Sequence, residues 1–168
     1  IVVRLVGSEM CIRDRLYRRS MYTFWKRTSP PPSMTTFDAP DRETCQVRRA
    51  RTNTPLQALV LMNDVQFIEA ARKFAERILR NGGESDEQRL VYAFRSIVGR
   101  RPSTEELEKL LVFQADYRQQ FGQDETAVTQ FLSAGESPRD ESLDASDLAA
   151  WSMLAHLLMN LSETITKG

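Results

Sequence analysis

TNTPLQALVLMNDVQFIEAARKFAERILRNGG, residues 52 to 83, decides the fold. Thr54-Pro55-Leu56-Gln57 supplies an N-cap hydroxyl, a proline at the first helical position and a capping-box glutamine, which together start an α-helix. LQALVLMN is apolar nearly all round, which predicts that this short helix is the most buried element of the chain. Asn63 and Asp64 interrupt it and can cap a second helix. There Phe67, Ala71, Phe74 and Ile78 fall on one face with Ile68, Ala75 and Leu79 beside them. Asn81-Gly82-Gly83 stops that helix.

The same grammar repeats downstream. Ser85 with Gln88 starts a third helix, Leu90, Phe94, Ile97 and Val98 form its stripe, and Gly99 ends it. Ser103 with Glu106 starts a fourth, with Leu107, Leu110, Leu111 and Tyr117 inward as far as about Phe121. A shorter helix is expected over roughly 124–133. The turn-rich stretch GESPRDESLDAS follows. A last helix over about 145–163 carries Leu148, Trp151, Ala155, Leu158 and Leu161 on one stripe. The fold class is mainly α, a compact bundle of about six helices, with no internal repeat of solenoid period.

Upstream the grammar changes. LYRRSMYTFWKRT, residues 16 to 28, alternates weakly and favours an extended strand. In SPPPSMTTFDAPDRETC, residues 29 to 45, Pro30 to Pro32 predict a polyproline-like path and exclude a helix. Asp38, Pro40 and Asp41 bring turn chemistry. Phe37 is the expected anchor of an extended, Pro-rich segment covering the bundle.

At 168 residues, 41% hydrophobic and 27% charged, the chain can bury one core. Lys+Arg and Asp+Glu are both 23, a balance that argues against a dedicated nucleic-acid or polybasic membrane binder. No apolar run approaches the ~20 residues that span a bilayer. There are two cysteines, Cys11 and Cys45, and a single histidine, His156; with Cys11 discounted for the reason below, one usable cysteine and one histidine rule out a standard zinc site, and a Cys-x-x-Cys-His haem attachment is absent.

Leu5 to Asp14 reproduces, residue for residue, the translation of a transposase-type sequencing-adapter end, and Arg15 fits its last codon. Residues 1–15 are therefore expected to be an adapter-derived artefact, with native sequence from Leu16 and more of it upstream. Cys11 then drops out, and the charge balance stays near neutral.

Chemistry-bearing residues cluster around the Pro-rich segment. Arg18, Arg19, Arg48, Arg49 and Arg51, with Lys26 and Arg27, could contact phosphate, and Tyr17, Tyr22 and Trp25 could stack on bases. Against that, the arginines can pair with Asp38, Asp41 and Glu43. The weak candidates for such an arginine–carboxylate cluster are Arg18, Arg19, Asp38, Asp41, Arg48, Arg49 and Arg51. The carboxylates alone could serve acid/base or divalent-metal chemistry. Cys45 would need a nearby base to act as a nucleophile, and reads as a buried structural thiol. His156 reads as a helix residue at the edge of the core. No phosphate loop or serine-hydrolase elbow is present, and no catalytic, cofactor or metal residue is assigned.

YTFWKRTSPPPSMTTFDAPDRETCQVRRARTNTPLQALVLMND, then GESPRD and LAAWSMLAHLLMNLSETITK, resemble the C-terminal portion of the planctomycete PSD family, domain of unknown function 1553, over residues 16–168. Ser162 departs from an expected acidic residue. The resemblance implies a longer, exported parent, periplasmic or in the cell envelope, with a further planctomycete domain and often a cytochrome c-like haem segment upstream. This fragment itself would hold no cofactor. Its partners would be the upstream domains and an envelope protein, not nucleic acid. The function implied is a non-catalytic structural or interaction domain. The alternative is part of a polysaccharide-related envelope enzyme whose site is completed upstream.

Overall fold

The computed structural model describes residues 30–40, 45–48 and 52–166. About 70% of them are helical, in eight helices of which six have seven residues or more, and none is in a strand. The main-α reading holds. The strand expected over residues 16–28 lies outside the described residues. Two compact units divide the chain at Gln57 and Ala58.

In the first unit, α1 (Pro32–Thr36) is a single turn where a polyproline path was expected. Pro31 keeps the polyproline conformation, φ −59° and ψ 129°, but Pro32 occupies the first helical turn, where a missing N–H costs nothing. The Thr35 and Thr36 hydroxyls both donate to the Pro32 carbonyl at 2.9 Å. Phe37, the expected anchor, is only half-buried.

The unit boundary falls inside α2 (Pro55–Asn63). Its start follows the sequence signals: Gln57 N–H donates to Thr54 Oγ1 at 3.3 Å, and Gln57 Oε1 accepts from Thr54 N–H at 3.1 Å. Its predicted burial is wrong. Leu56, Leu59 and Met62 are exposed, and Leu61 alone among its leucines is buried. Uniform apolar character says that a helix can be covered on every side, not that this chain supplies the cover.

The second unit is built around α7 (Ala145–Met159). It packs chiefly on α3 (Val65–Asn81) and α5 (Thr104–Gln123), and more lightly on α6 (Glu125–Leu132) and α4 (Asp86–Val98). Ala149, Ala150 and Ala155 let neighbouring backbones approach, while Leu148, Trp151, Leu154 and Leu158 fill the space between them. This makes α7 the most buried element, the place expected of α2. Ala71, Phe74, Ala75 and Ile78 of α3 and Leu90, Ala93 and Phe94 of α4 complete the core.

Local chemistry sets the helix ends. Asp64 caps α3, accepting from Gln66 N–H at 2.9 Å. Ser103 and Glu106 form a complete capping box on α5. At α4 the box is displaced by one residue: Ser85 Oγ accepts from Gln88 N–H, but Gln88 Oε1 takes the Glu84 N–H at 3.2 Å. Gly99 ends α4 at φ 87°, a conformation open to glycine without strain.

The expected last helix is two. Asn160 closes α7 with its N–H shared among preceding carbonyls, Leu161 turns extended, and α8 (Ser162–Ile165) restarts the chain. Asn and Ser are weak helix formers whose polar groups favour such ends. Among the described residues no helix is long and apolar enough to cross a membrane.

Candidate functional site

Asp38 is the sequence-selected carboxylate that the structure describes. It follows α1 at φ 57°, a left-handed conformation that Asp tolerates. Its oxygens accept from Thr52 N–H and Thr52 Oγ1, each at 2.8 Å. The Thr52 N–H and hydroxyl, in that order, hold its carboxyl below the ordinary value, with a smaller contribution from Gln57.

Gln57 completes the knot. Its Nε2 donates to the Thr36 carbonyl at 2.8 Å and to Thr52 Oγ1 at 3.1 Å, while Oε1 belongs to the capping box. One buried amide thus ties α1 to the start of α2. Asp38 is an acceptor in a turn lock, held charged and already hydrogen-bonded.

Arg48 is exposed. Arg18, Arg19, Asp41, Arg49 and Arg51 lie outside the described residues, as do Glu43, Tyr17, Tyr22, Trp25, Lys26, Arg27 and Cys11. Cys45, expected to be a buried thiol, is free and exposed, within a stretch whose four described residues are all exposed. His156 is a buried α7 residue, 8% exposed beside the fully buried Ala155 and Leu158, and its Nε2 lies 2.6 Å from the Leu61 carbonyl. A carbonyl only accepts, so Nε2 carries the proton and donates.

The largest polar constellation was not anticipated. Glu69 and Arg72, each 3% exposed, and Glu76, 7% exposed, sit on α3 with Lys73 and Arg80 and grip residues 132–140. Glu69 Oε2 accepts from Glu136 N–H at 2.7 Å. Arg72 donates through Nη1 to the Leu132 carbonyl and through Nη2 to the Ser137 carbonyl. Lys73 Nζ reaches the Pro138 carbonyl at 2.7 Å and pairs with Glu76 at 2.9 Å. Glu76 Oε1 accepts from Asp140 N–H at 3.2 Å.

Arg80 pairs with Asp140, whose Oδ1 also takes the Ser142 hydroxyl and N–H at 2.7 and 3.0 Å. Those Ser142 bonds, hydroxyl before N–H, are the main reason the Asp140 carboxyl lies below its usual range. Gly135 belongs to the same clamp. It has φ +95°, and a Cβ there would lie 2.2 Å from Glu69 Oε2. The spacing of Glu69, Arg72 and Glu76 puts all three on one helical face, and that was the available signal. Read alone, a charged stripe resembles a solvated surface. Its partners stand 60 to 67 positions away.

Two further ion clusters fasten helix ends. Arg100 lies 4.9 Å over the Phe94 ring and pairs with Glu106 at 2.7 Å and Glu163 at 2.8 Å. Arg100, then the Ser103 N–H, pulls Glu106 down to about 2, while Arg100 lowers Glu163 and is itself raised by both. Arg118 joins Asp86 and Asp147 at 2.9 and 2.7 Å. Among the described residues no group of three or more His, Cys, Asp or Glu is placed to hold a metal ion. These arrangements fix backbone and helix ends. They do not present a nucleophile beside a base.

A family model described as PSD1, protein of unknown function (DUF1553), matches residues 8–114. The chain belongs to the PSD1 family. The match begins inside the segment expected to be adapter-derived and takes in the α1 turn, the Gln57 knot, α2, α3 and α4. No curated protein and no solved structure matches the PSD1 chain.

Proposed function

We propose that this PSD1 chain is a non-catalytic structural or interaction domain, the C-terminal part of a larger exported protein with haem c bound further upstream. Its partners are the upstream domains of the same parent and an envelope protein. The observation that carries the reading is apolar surface left open in the bundle unit. Leu59 and Met62, three apart on one face of α2, are each 56% exposed, and Val65 at the start of α3 is 53% exposed. Large apolar side chains left open to solvent support docking rather than chemistry.

The test begins with the native gene read across the codon for Leu16. It is expected to continue upstream in frame with an export signal and a Cys-x-x-Cys-His motif. The encoded upstream polypeptide is then titrated with this chain and with its L59S/M62S variant. Association that the variant loses, with stability of the chain alone changed by less than about 0.5 kcal/mol, is the expected result. An upstream sequence without those signals, or association indifferent to the two substitutions, contradicts the reading.

A further inference from the structure

α4 carries two stripes. Leu90, Ala93 and Phe94 enter the core. On another side Gln88, Val91, Tyr92, Arg95 and Ser96, spaced three and four apart, line an open cleft of about 740 Å³. Arg101 and, on α5, Leu107 form its other wall, and Glu87 stands at the end where α4 begins. None of these residues belongs to the apolar face of α2, so the cleft is a separate feature of the surface.

The charges in the cleft are those the fold leaves over. On the same two helices and their connection, Arg89, Arg100 and Arg118 are each paired with carboxylates. Arg95, Arg101 and Glu87 form no ion pair and no side-chain hydrogen bond among the described residues. Exposed charges alone would make a solvated face. Here an apolar strip joins them: Val91, Tyr92 and Leu107 are half-buried, the last two against the edge of the core. The cleft therefore runs from a carboxylate, over an apolar middle, to two guanidinium groups that only donate.

Two polar groups between the charged ends have half of their capacity open. Ser96 Oγ donates to the Tyr92 carbonyl at 2.7 Å, so it can only accept further. Gln88 Oε1 accepts from the Glu84 N–H at 3.2 Å, which leaves the amide NH2 as a donor. A peptide backbone offers a donor and an acceptor at each residue and answers both. A fatty or aromatic acid supplies the anion and the apolar body, but no N–H for Ser96. Glu87 lies eight residues before Arg95, about 12 Å along the helix axis, which about four residues of extended chain would span.

We propose that this cleft binds an extended peptide segment of a protein partner, with a basic and an acidic residue four positions apart and an apolar residue midway. Alternate side chains of an extended chain share one edge. The basic side chain then meets Glu87, the apolar one meets Val91, Tyr92 and Leu107, and the acidic one meets Arg95 and Arg101. The volume is within the ordinary range for a ligand cleft.

The probe is the peptide acetyl-Lys-Ser-Phe-Ser-Glu-amide, titrated calorimetrically into the full 168-residue chain. Saturable binding is expected with a Kd of about 1 mM or below. The same peptide with Gln in place of Glu, or Ser in place of Phe, should bind at least about fivefold more weakly. R95Q/R101Q changes two exposed cations that hold nothing in the fold, so its melting curve should be unchanged and its affinity for the peptide reduced about tenfold. If that variant does not fold, the two altered peptides carry the test. L59S/M62S should bind the peptide as the unsubstituted chain does. Absence of saturable binding overturns the proposal, as does either altered peptide binding equally well, R95Q/R101Q binding at full strength, or binding lost in L59S/M62S, which would put the peptide on α2.

Discussion

On one side of α3, Ala71, Phe74, Ala75 and Ile78 share a core with Trp151, Leu154 and Leu158 of α7. On the other, Glu69, Arg72 and Glu76 are nearly as buried, yet their neighbours are backbone N–H and C=O groups of residues 132–140. The apolar side gains free energy with the area it removes from water and is tolerant of direction. The charged side gains little net energy per bond. It accepts only one path of the facing loop, because any other path leaves a buried charge or carbonyl without a partner. One helix thus carries both the bulk stability of the unit and the exact course of its longest turn.

Substitutions separate the two contributions. Trp151→Ala should have the largest effect, a loss of about 3–5 kcal/mol in urea or thermal unfolding, since the ring is fully buried among core side chains. Its Nε1 has no hydrogen-bond partner among the described residues, so that loss is chiefly one of packing. A loss below about 1 kcal/mol would mean that α7 is not the centre of the core. Gly135→Ala tests the charged side without removing any charge. Positive φ and the contact with Glu69 should together cost about 1–3 kcal/mol, read by the same unfolding curves. If Gly135→Ala is neutral, residues 132–140 are not held as described.

The smallest effect is electrostatic. Glu106 is pulled from 4.5 to about 2 by Arg100 and the Ser103 N–H. A depressed carboxylate stabilises the fold fully above its unfolded value, and that contribution fades as pH falls from 4.5 toward 2. Both partners face solvent, so it should amount to no more than about 1 kcal/mol. The difference in stability between wild type and E106Q, measured from neutral to strongly acid pH, should narrow over that window. A difference independent of pH would contradict the assignment.

Much of the helical frame was legible because its signals are local. Ser103 with Glu106, Asp64, and Gly99 each act within one turn, and the apolar periodicity of α3 and α4 places their inner faces correctly. The failures share a physical cause. Gln57 reads as a capping residue, but its second role, donating to the Thr36 carbonyl, depends on chain 21 positions away. Glu69, Arg72 and Glu76 read as surface because the groups that bury them are more distant still. Pro32 reads as a helix breaker unless it is placed at the first turn, and the exposure of α2 depends on what lies opposite it rather than on its own residues. Of the candidate arginine–carboxylate cluster, Asp38 is engaged by threonine and glutamine partners.

Amide hydrogen exchange on the intact chain tests most directly the claim that the charged face of α3 orders its loop as firmly as the apolar face orders the core. The N–H groups of Glu136 and Asp140, each donating to a buried α3 carboxylate, should exchange nearly as slowly as those of α7 and far more slowly than those of the exposed residues 45–48. Exchange of Glu136 and Asp140 as fast as residues 45–48 would contradict it.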